Sequence, residues 1–214
     1  MAARRALATR NARWAVALAR WLGHMGVRPN GVSVMGVVVA VVACTAFVQV
    51  PRADGAARAA LLLLAAVSIQ LRLLCNLLDG MLAIEGGFKT KTGDLYNDLP
   101  DRVADVAILV GAGYAARQVP YGVSLGWAAA VLAVFTAYVR LLGGSLGLPQ
   151  HFIGPMAKQH RMFTLTVAVV AAAGEALVGL PARAIRIGLA VIVAGAVVTA
   201  VRRTGRLVAD MNAR

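Results

Sequence analysis

Long apolar runs alternate with short polar breaks along most of this chain. Six runs reach the roughly 20 mainly apolar residues that a membrane span needs: about 30–50, 59–84, 94–116, 122–146, 161–180 and 184–202. The first, fourth, fifth and sixth are clear on hydropathy, whereas the second and third carry polar residues at their facing ends. The breaks hold the turn-forming residues Pro29-Asn30, Pro51, Gly86-Gly87, Pro120, Pro149, Gly154-Pro155 and Pro181. The pattern predicts an all-α polytopic membrane protein with six transmembrane helices. Ahead of them, Leu7, Trp14, Leu18, Trp21 and Met25 fall within about 40° of one direction at ~100° per residue, with Arg5, Arg13 and Arg20 opposite. That predicts an amphipathic helix lying on the membrane surface; a cytosolic helix packed on the bundle is the plainer alternative. The segment lacks the compact apolar run and cleavage site of a signal peptide. The expected plan is a juxtamembrane helix (1–28), one membrane domain (29–205) and a cytoplasmic tail (206–214), with no internal repeat.

Composition agrees. The 214 residues are 60% hydrophobic and 14% charged, and the mean hydropathy is +0.74; soluble domains are nearer half apolar and about a quarter charged. A net charge of +13 would suit nucleic acid, but its placement argues against that partner. With six spans, fourteen Lys and Arg fall on the side of both termini and five on the other, and Arg72, Arg102 and Arg140 lie within spans. That asymmetry puts both termini in the cytoplasm and makes a basic face suited to anionic headgroups. The short loops and Ala/Arg-rich composition suggest a bacterial cytoplasmic membrane. Cys44 and Cys75 sit within spans and read as small buried residues, not a disulfide.

Against this background the acidic residues stand out. Six of the nine, Asp79, Glu85, Asp94, Asp98, Asp101 and Asp105, lie in one stretch. Ionisable residues in spans are costly and mark functional sites. Asn76 and Asp79 share one face of the second helix, Asn97 and Asp101 share one face of the third, and Asp105 continues that face a turn deeper. The Gly-rich connection (Gly86, Gly87, Gly93) should make the two helices antiparallel neighbours, so that four oxygen-bearing side chains converge. Such ligands suit magnesium, manganese or calcium; soft ligands are lacking, which disfavours zinc. Gly80 and Ala83, one turn apart, leave room for a bulky ligand or for another helix.

Residues 76–101 resemble the signature of the CDP-alcohol phosphotransferases, D-x2-D-G-x2-A-R-x8-G-x3-D-x3-D, laid down without a gap. Asp79, Gly80, Ala83, Gly93 and Asp101 match, while Asn76, Ile84 and Asn97 stand where Asp, Arg and Asp belong. The resemblance extends to Pro29-Asn30, to Asp101-Arg102, to Tyr138-Val139-Arg140, and to Gly154 with Lys158 and Arg161.

The resemblance implies metal-dependent transfer of a phosphatidyl group from CDP-diacylglycerol to a hydroxyl acceptor, with release of CMP, as a step of phospholipid biosynthesis by a homodimer. It implies a site for one or two Mg or Mn ions at Asn76, Asp79, Asn97 and Asp101, with Asp101 as the base. The nucleotide and donor would lie on Asn76, Asp79, Gly80, Ala83 and Gly93, with Lys89 and Lys91 standing in for the Arg missing at Ile84. A phosphorylated acceptor, such as glycerol phosphate or inositol phosphate, would be held by Arg140, Lys158 and Arg161; His160 reads as a loop residue and Arg72 as a partner of the cluster or a headgroup. The two Asn remove two charges and should weaken metal binding; Asp101-x3-Asp105 repeats the final spacing and would allow a metal one turn deeper. Glu175 reads as an exposed helix end. Two other readings stay open: a relative that has lost catalysis and binds a nucleotide-lipid or partner protein, and a small cation transporter.

Overall fold

A computed structural model describes residues 13–85 and 93–213, with the side chains of Ile84, Glu85, Asp94, Tyr96 and Asn97 outside that description. The chain forms α1 (Arg13–His24), α2 (Pro29–Gln49), α3 (Gly55–Glu85), α4 (Gly93–Ala115), α5 (Gly122–Ser145), α6 (Lys158–Leu177) and α7 (Arg183–Asn212), with a short 3₁₀ turn at Val50–Arg52. The turn residues act as expected. Pro29 occupies the first turn of α2 after an extended Arg28, where its missing N–H costs nothing. Gly147, at φ 70° just past α5, lets Leu148 N–H reach back to the Gly143 carbonyl at 2.9 Å, and Gly179 ends α6 in the same way.

The helices close into a ring in which α2 touches α3, α3 touches α6, α6 touches α7, α7 touches α5, α5 touches α4 and α4 returns to α2. The expectation that α3 and α4 pack as antiparallel neighbours is corrected: α2 packs against both, and α3 and α4 meet only slightly. Phe47, Leu62, Ile69, Ile108, Leu165 and Leu189 fill the centre among many buried alanines, which let helix backbones approach closely. Val34, Val41, Val131, Val170, Val191 and Val201 point outward and exposed.

Among the described residues, four helices are long and apolar enough to cross a membrane, α2 with its 3₁₀ turn, most of α3, α5 and α7. With the outward valines, they describe an integral membrane protein. The helices α4 and α6 fall where the third and fifth runs were expected, but both carry charged residues in their first turns. The helix α7 runs on to Asn212, so most of the expected tail is helical. The helix α1 docks Ala15 and Ala19 against Leu77, Leu78, Met81 and Leu82 of α3, while Trp14, Trp21 and Met25 stay exposed. The described part of this helix thus packs on the bundle through one face, and Leu7 and Arg5 of the expected amphipathic pattern lie outside the described residues.

Candidate active site

The polar residues of the second and third runs meet at one end of the ring. Ser33 and Gly36 of α2, Arg72, Cys75, Asn76 and Asp79 of α3, and Pro100, Asp101 and Ala104 of α4 line one crevice. Helical spacing sets this up, because Arg72, Asn76 and Asp79 recur on one face of α3, and Asp101 and Asp105 on one face of α4.

The three carboxylates have different surroundings. Asp79 is 4% exposed. Its Oδ2 accepts a hydrogen bond from Ser33 Oγ at 2.8 Å, and its Oδ1 is buried with no hydrogen-bond partner. Asp101 Oδ1 accepts from Arg72 at 3.1 Å, and its Oδ2 accepts from Asn76 Nδ2 at 3.1 Å and from Lys158. Asp105, 1% exposed, pairs with Arg72 at 2.8 Å and with Arg161 at 3.2 Å. Arg161 also donates to Thr136 Oγ1 and to the Met156 carbonyl, each at 3.3 Å.

This donor set fits a hard divalent cation at the upper level. An orphaned buried carboxylate oxygen is costly, and a cation would satisfy Asp79 Oδ1. With Asn76 Nδ2 turned to Asp101, the amide oxygen of Asn76 is directed elsewhere; Asp101, its oxygens held by Arg72, Asn76 and Lys158, would join a cation only by giving up Lys158. Lys158 holds Asp101 as a cation would. The alternative of a metal one turn deeper is disfavoured, because Asp105 is committed to two guanidinium groups. The side chain of Asn97 lies outside the described residues, as do Lys89 and Lys91. Gly80 and Ala83 are half-buried beside Asp79, and Gly93 opens α4.

The expected cations divide among different partners. Lys158 joins Asp101, Arg161 goes to Asp105, and Arg140 goes to Asp98, with 3.2 and 3.3 Å to its two oxygens. Arg102 shares that carboxylate at 3.1 Å, and the Phe152 ring lies 5.3 Å from the Arg140 guanidinium carbon, a cation–π separation. His160, expected in a loop, lies instead in the first turn of α6, where its Nδ1 meets the Pro155 carbonyl at 2.8 Å. Arg72 is a partner of the cluster. Glu175 does more than end a helix: both its oxygens accept from the Ala184 N–H at the start of α7, at 3.1 and 3.2 Å, an N-terminal anchor.

Sequence reasoning missed Ser33, Asp98 as a partner of Arg140, Thr136 and Arg203. Arg203 donates to the Thr136 carbonyl at 2.7 Å and to the Ile153 carbonyl at 3.0 Å. Ser33 had a signal, as a hydroxyl one turn into an apolar helix just past Pro29-Asn30. Arg203 had none, being one of several basic residues near the C-terminus.

No protein-family model matches the chain, and no curated protein matches it. Solved structures do. The fold is that of Mycobacterium tuberculosis phosphatidylinositol phosphate synthase PgsA1, a CDP-alcohol phosphotransferase. The structure of that enzyme with CDP-DAG bound aligns at a TM-score of 0.77 and 21% identity, over 92% of this chain and 94% of that one. Its complex with manganese and citrate aligns at 0.74 and 21%, over 90% and 88%. Its apo form aligns at 0.72 and 21%, over 88% and 93%.

Proposed function

We propose that this protein transfers a phosphatidyl group from CDP-diacylglycerol to a hydroxyl acceptor and releases CMP. The observation that carries the proposal is the crevice that holds Asp79, with one buried oxygen unpartnered, together with Asp101. It lies in a fold shared with a synthase solved once with CDP-DAG and once with manganese.

Asn76, Asp79 and Asp101, with Asn97, would hold one or two Mg or Mn ions, which when bound neutralise pyrophosphate charge and stabilise the leaving CMP. Gly80 and Ala83 would let the nucleotide lie along α3, with Gly93 at the start of α4; Lys89 and Lys91, which the family resemblance would put to the phosphates, lie outside the described residues. Arg72 fixes Asp101 through Oδ1, so that Oδ2 is the oxygen turned to the incoming hydroxyl once Lys158 yields it. The acceptor oxygen bonds to the lipid-side phosphorus, the bond from that phosphorus to the CMP oxygen breaks with its electron pair, and the hydroxyl proton passes to Asp101. Arg140, Lys158 and Arg161 mark the flank from which the acceptor approaches. In this reading α2 to α7 form the membrane domain and all six span a bacterial cytoplasmic membrane, both termini are cytoplasmic, and α1 lies in the interface with Trp14 and Trp21 against lipid.

The test is CMP release by the purified protein in nanodiscs, supplied with CDP-diacylglycerol, Mn or Mg and a panel of acceptors. Acceptor-dependent CMP is expected, and Asp101→Asn should abolish it while leaving the protein folded. Full turnover by that variant removes Asp101 as the base. A second reading, a relative that binds donor without turning it over, draws on the two Asn and on Lys158 seated against Asp101; donor binding without CMP under any acceptor would favour it.

A further inference from the structure

A general base needs a lone pair open to the hydroxyl that it deprotonates. An ionised carboxylate has about two acceptor positions on each oxygen, and those of Asp101 are already in use. Its Oδ1 accepts from Arg72, which also holds Asp105. Both positions on Oδ2 are taken, one by Asn76 Nδ2 and one by Lys158 Nζ. A partner has to leave Oδ2 before Asp101 can receive a proton there.

Lys158 differs from the other partners in type, exposure and place. Among the described residues, the other cations paired with the carboxylates of α4 are all arginines, namely Arg72, Arg102, Arg140 and Arg161. A guanidinium grips a carboxylate with a rigid planar fork, whereas an ammonium is a point charge on a flexible stem. The Lys158 side chain is 20% exposed, against 1% for Arg72 and 3% for Arg161. It is also the first residue of α6, just past Gly154-Pro155, so its stem can swing outward without opening a helical turn. The first turn of α6 has no acidic residue and no side-chain cap, so the positive end of the helix dipole opposes a cation held there.

The agent that would displace Lys158 is the divalent ion. Asp79, with its buried and unpartnered Oδ1, lines the same crevice as Asp101. An ion drawn to Asp79 brings two positive charges beside Asp101, and like charges that share a site disfavour each other.

Resting on the transferase reading, we infer that Lys158 is a latch on Asp101: the ion takes over as counter-charge, the ammonium leaves Oδ2, and the lone pair so freed receives the acceptor's proton. Lys158 is thus a positioning residue that keeps the base closed until the metal has loaded. Ion and lysine compete for one carboxylate, so each weakens the hold of the other by the same factor.

The test uses the full chain in nanodiscs and needs no turnover. Mn affinity is measured by calorimetry for the wild type, Lys158→Met and Lys158→Arg. Lys158→Met removes the competitor and should bind Mn at least about tenfold more tightly, the scale on which groups around a metal ligand act. Lys158→Arg keeps the charge but grips in a fork, and should bind Mn several-fold more weakly than the wild type. A lysine that acted only as a nearby charge would leave the arginine variant equal to the wild type. In the wild type, Lys158 is also labelled with an amine-reactive ester and read by peptide mass spectrometry, which depends on no variant folding. Mn should raise that labelling several-fold, and Asp79→Asn should remove the rise. An arginine variant equal to the wild type, or labelling that Mn does not change, overturns the inference and leaves the transferase reading standing. Absence of Mn binding in every protein removes the metal site itself, and both then fall.

Discussion

Asp79 shows how much a single hydrogen bond can set. Ser33 holds one of its oxygens and leaves the other buried and bare, which orients the carboxylate toward the crevice. Groups that orient a metal ligand typically matter by roughly 10–100-fold in affinity or activity. Ser33→Ala should therefore weaken Mn binding by about that range, with little loss of fold, as measured by calorimetry; unchanged affinity would mean Asp79 needs no orienting partner. Asn76→Asp with Asn97→Asp should act in the opposite direction and tighten Mn at least tenfold, since ligand charge tunes such sites. At this scale the sequence was informative for Asn76, Asp79 and Asp101, because helical spacing alone puts them on shared faces. It was silent on the pairing of Asp98 with Arg140, 42 residues apart. Spacing within one helix carries no information about which other helix lies opposite.

Among the elements, α4 and α5 bring their backbones close together at a pair of glycines. A Cβ added to Gly126 would stand 2.7 Å from Gly113 Cα and 2.9 Å from the Leu109 carbonyl oxygen, both main-chain atoms that cannot step aside. At Gly174, exposed on α6, an added Cβ would meet nothing within 4 Å. One substitution should thus have opposite signs at the two places. Gly126→Ala should destabilise by about 1–3 kcal/mol, as overpacking does, and Gly174→Ala should stabilise by about 0.5–1 kcal/mol, as Ala does in a helix. Thermal unfolding in detergent reads both, and a Gly126→Ala protein as stable as the wild type would show that the two helices can part freely. Element positions were largely legible, since apolar run length and Pro/Gly breaks locate α2 to α7 to within a few residues at most ends. Partner choice was not. A short connection between α3 and α4 suggests they pack together, yet both pack mainly on α2.

The molecule as a whole is a closed ring with charge at its polar end. Arg72, 2% exposed, is the cation shared by Asp101 and Asp105. Removing one partner of a buried pair costs about 3–5 kcal/mol because the other is stranded. Arg72→Met should lower stability by that order as well as impair turnover; a loss of turnover alone, with unchanged unfolding, would assign Arg72 to chemistry only. The order of the ring, α2–α3–α6–α7–α5–α4, also bears on how the protein is made. Ribosomes deliver helices in chain order, but the ring cannot close until α7, the last to emerge, settles between α5 and α6. Every earlier intermediate is an open arc. Arg72 is synthesised before Asp105, whereas Arg161 follows 56 residues after it, so the buried acid meets its first counter-charge at once and its second only as the arc begins to close. A chain stopped after α5 would leave Arg72 to serve Asp101 and Asp105 together, in a bundle that is still unsealed.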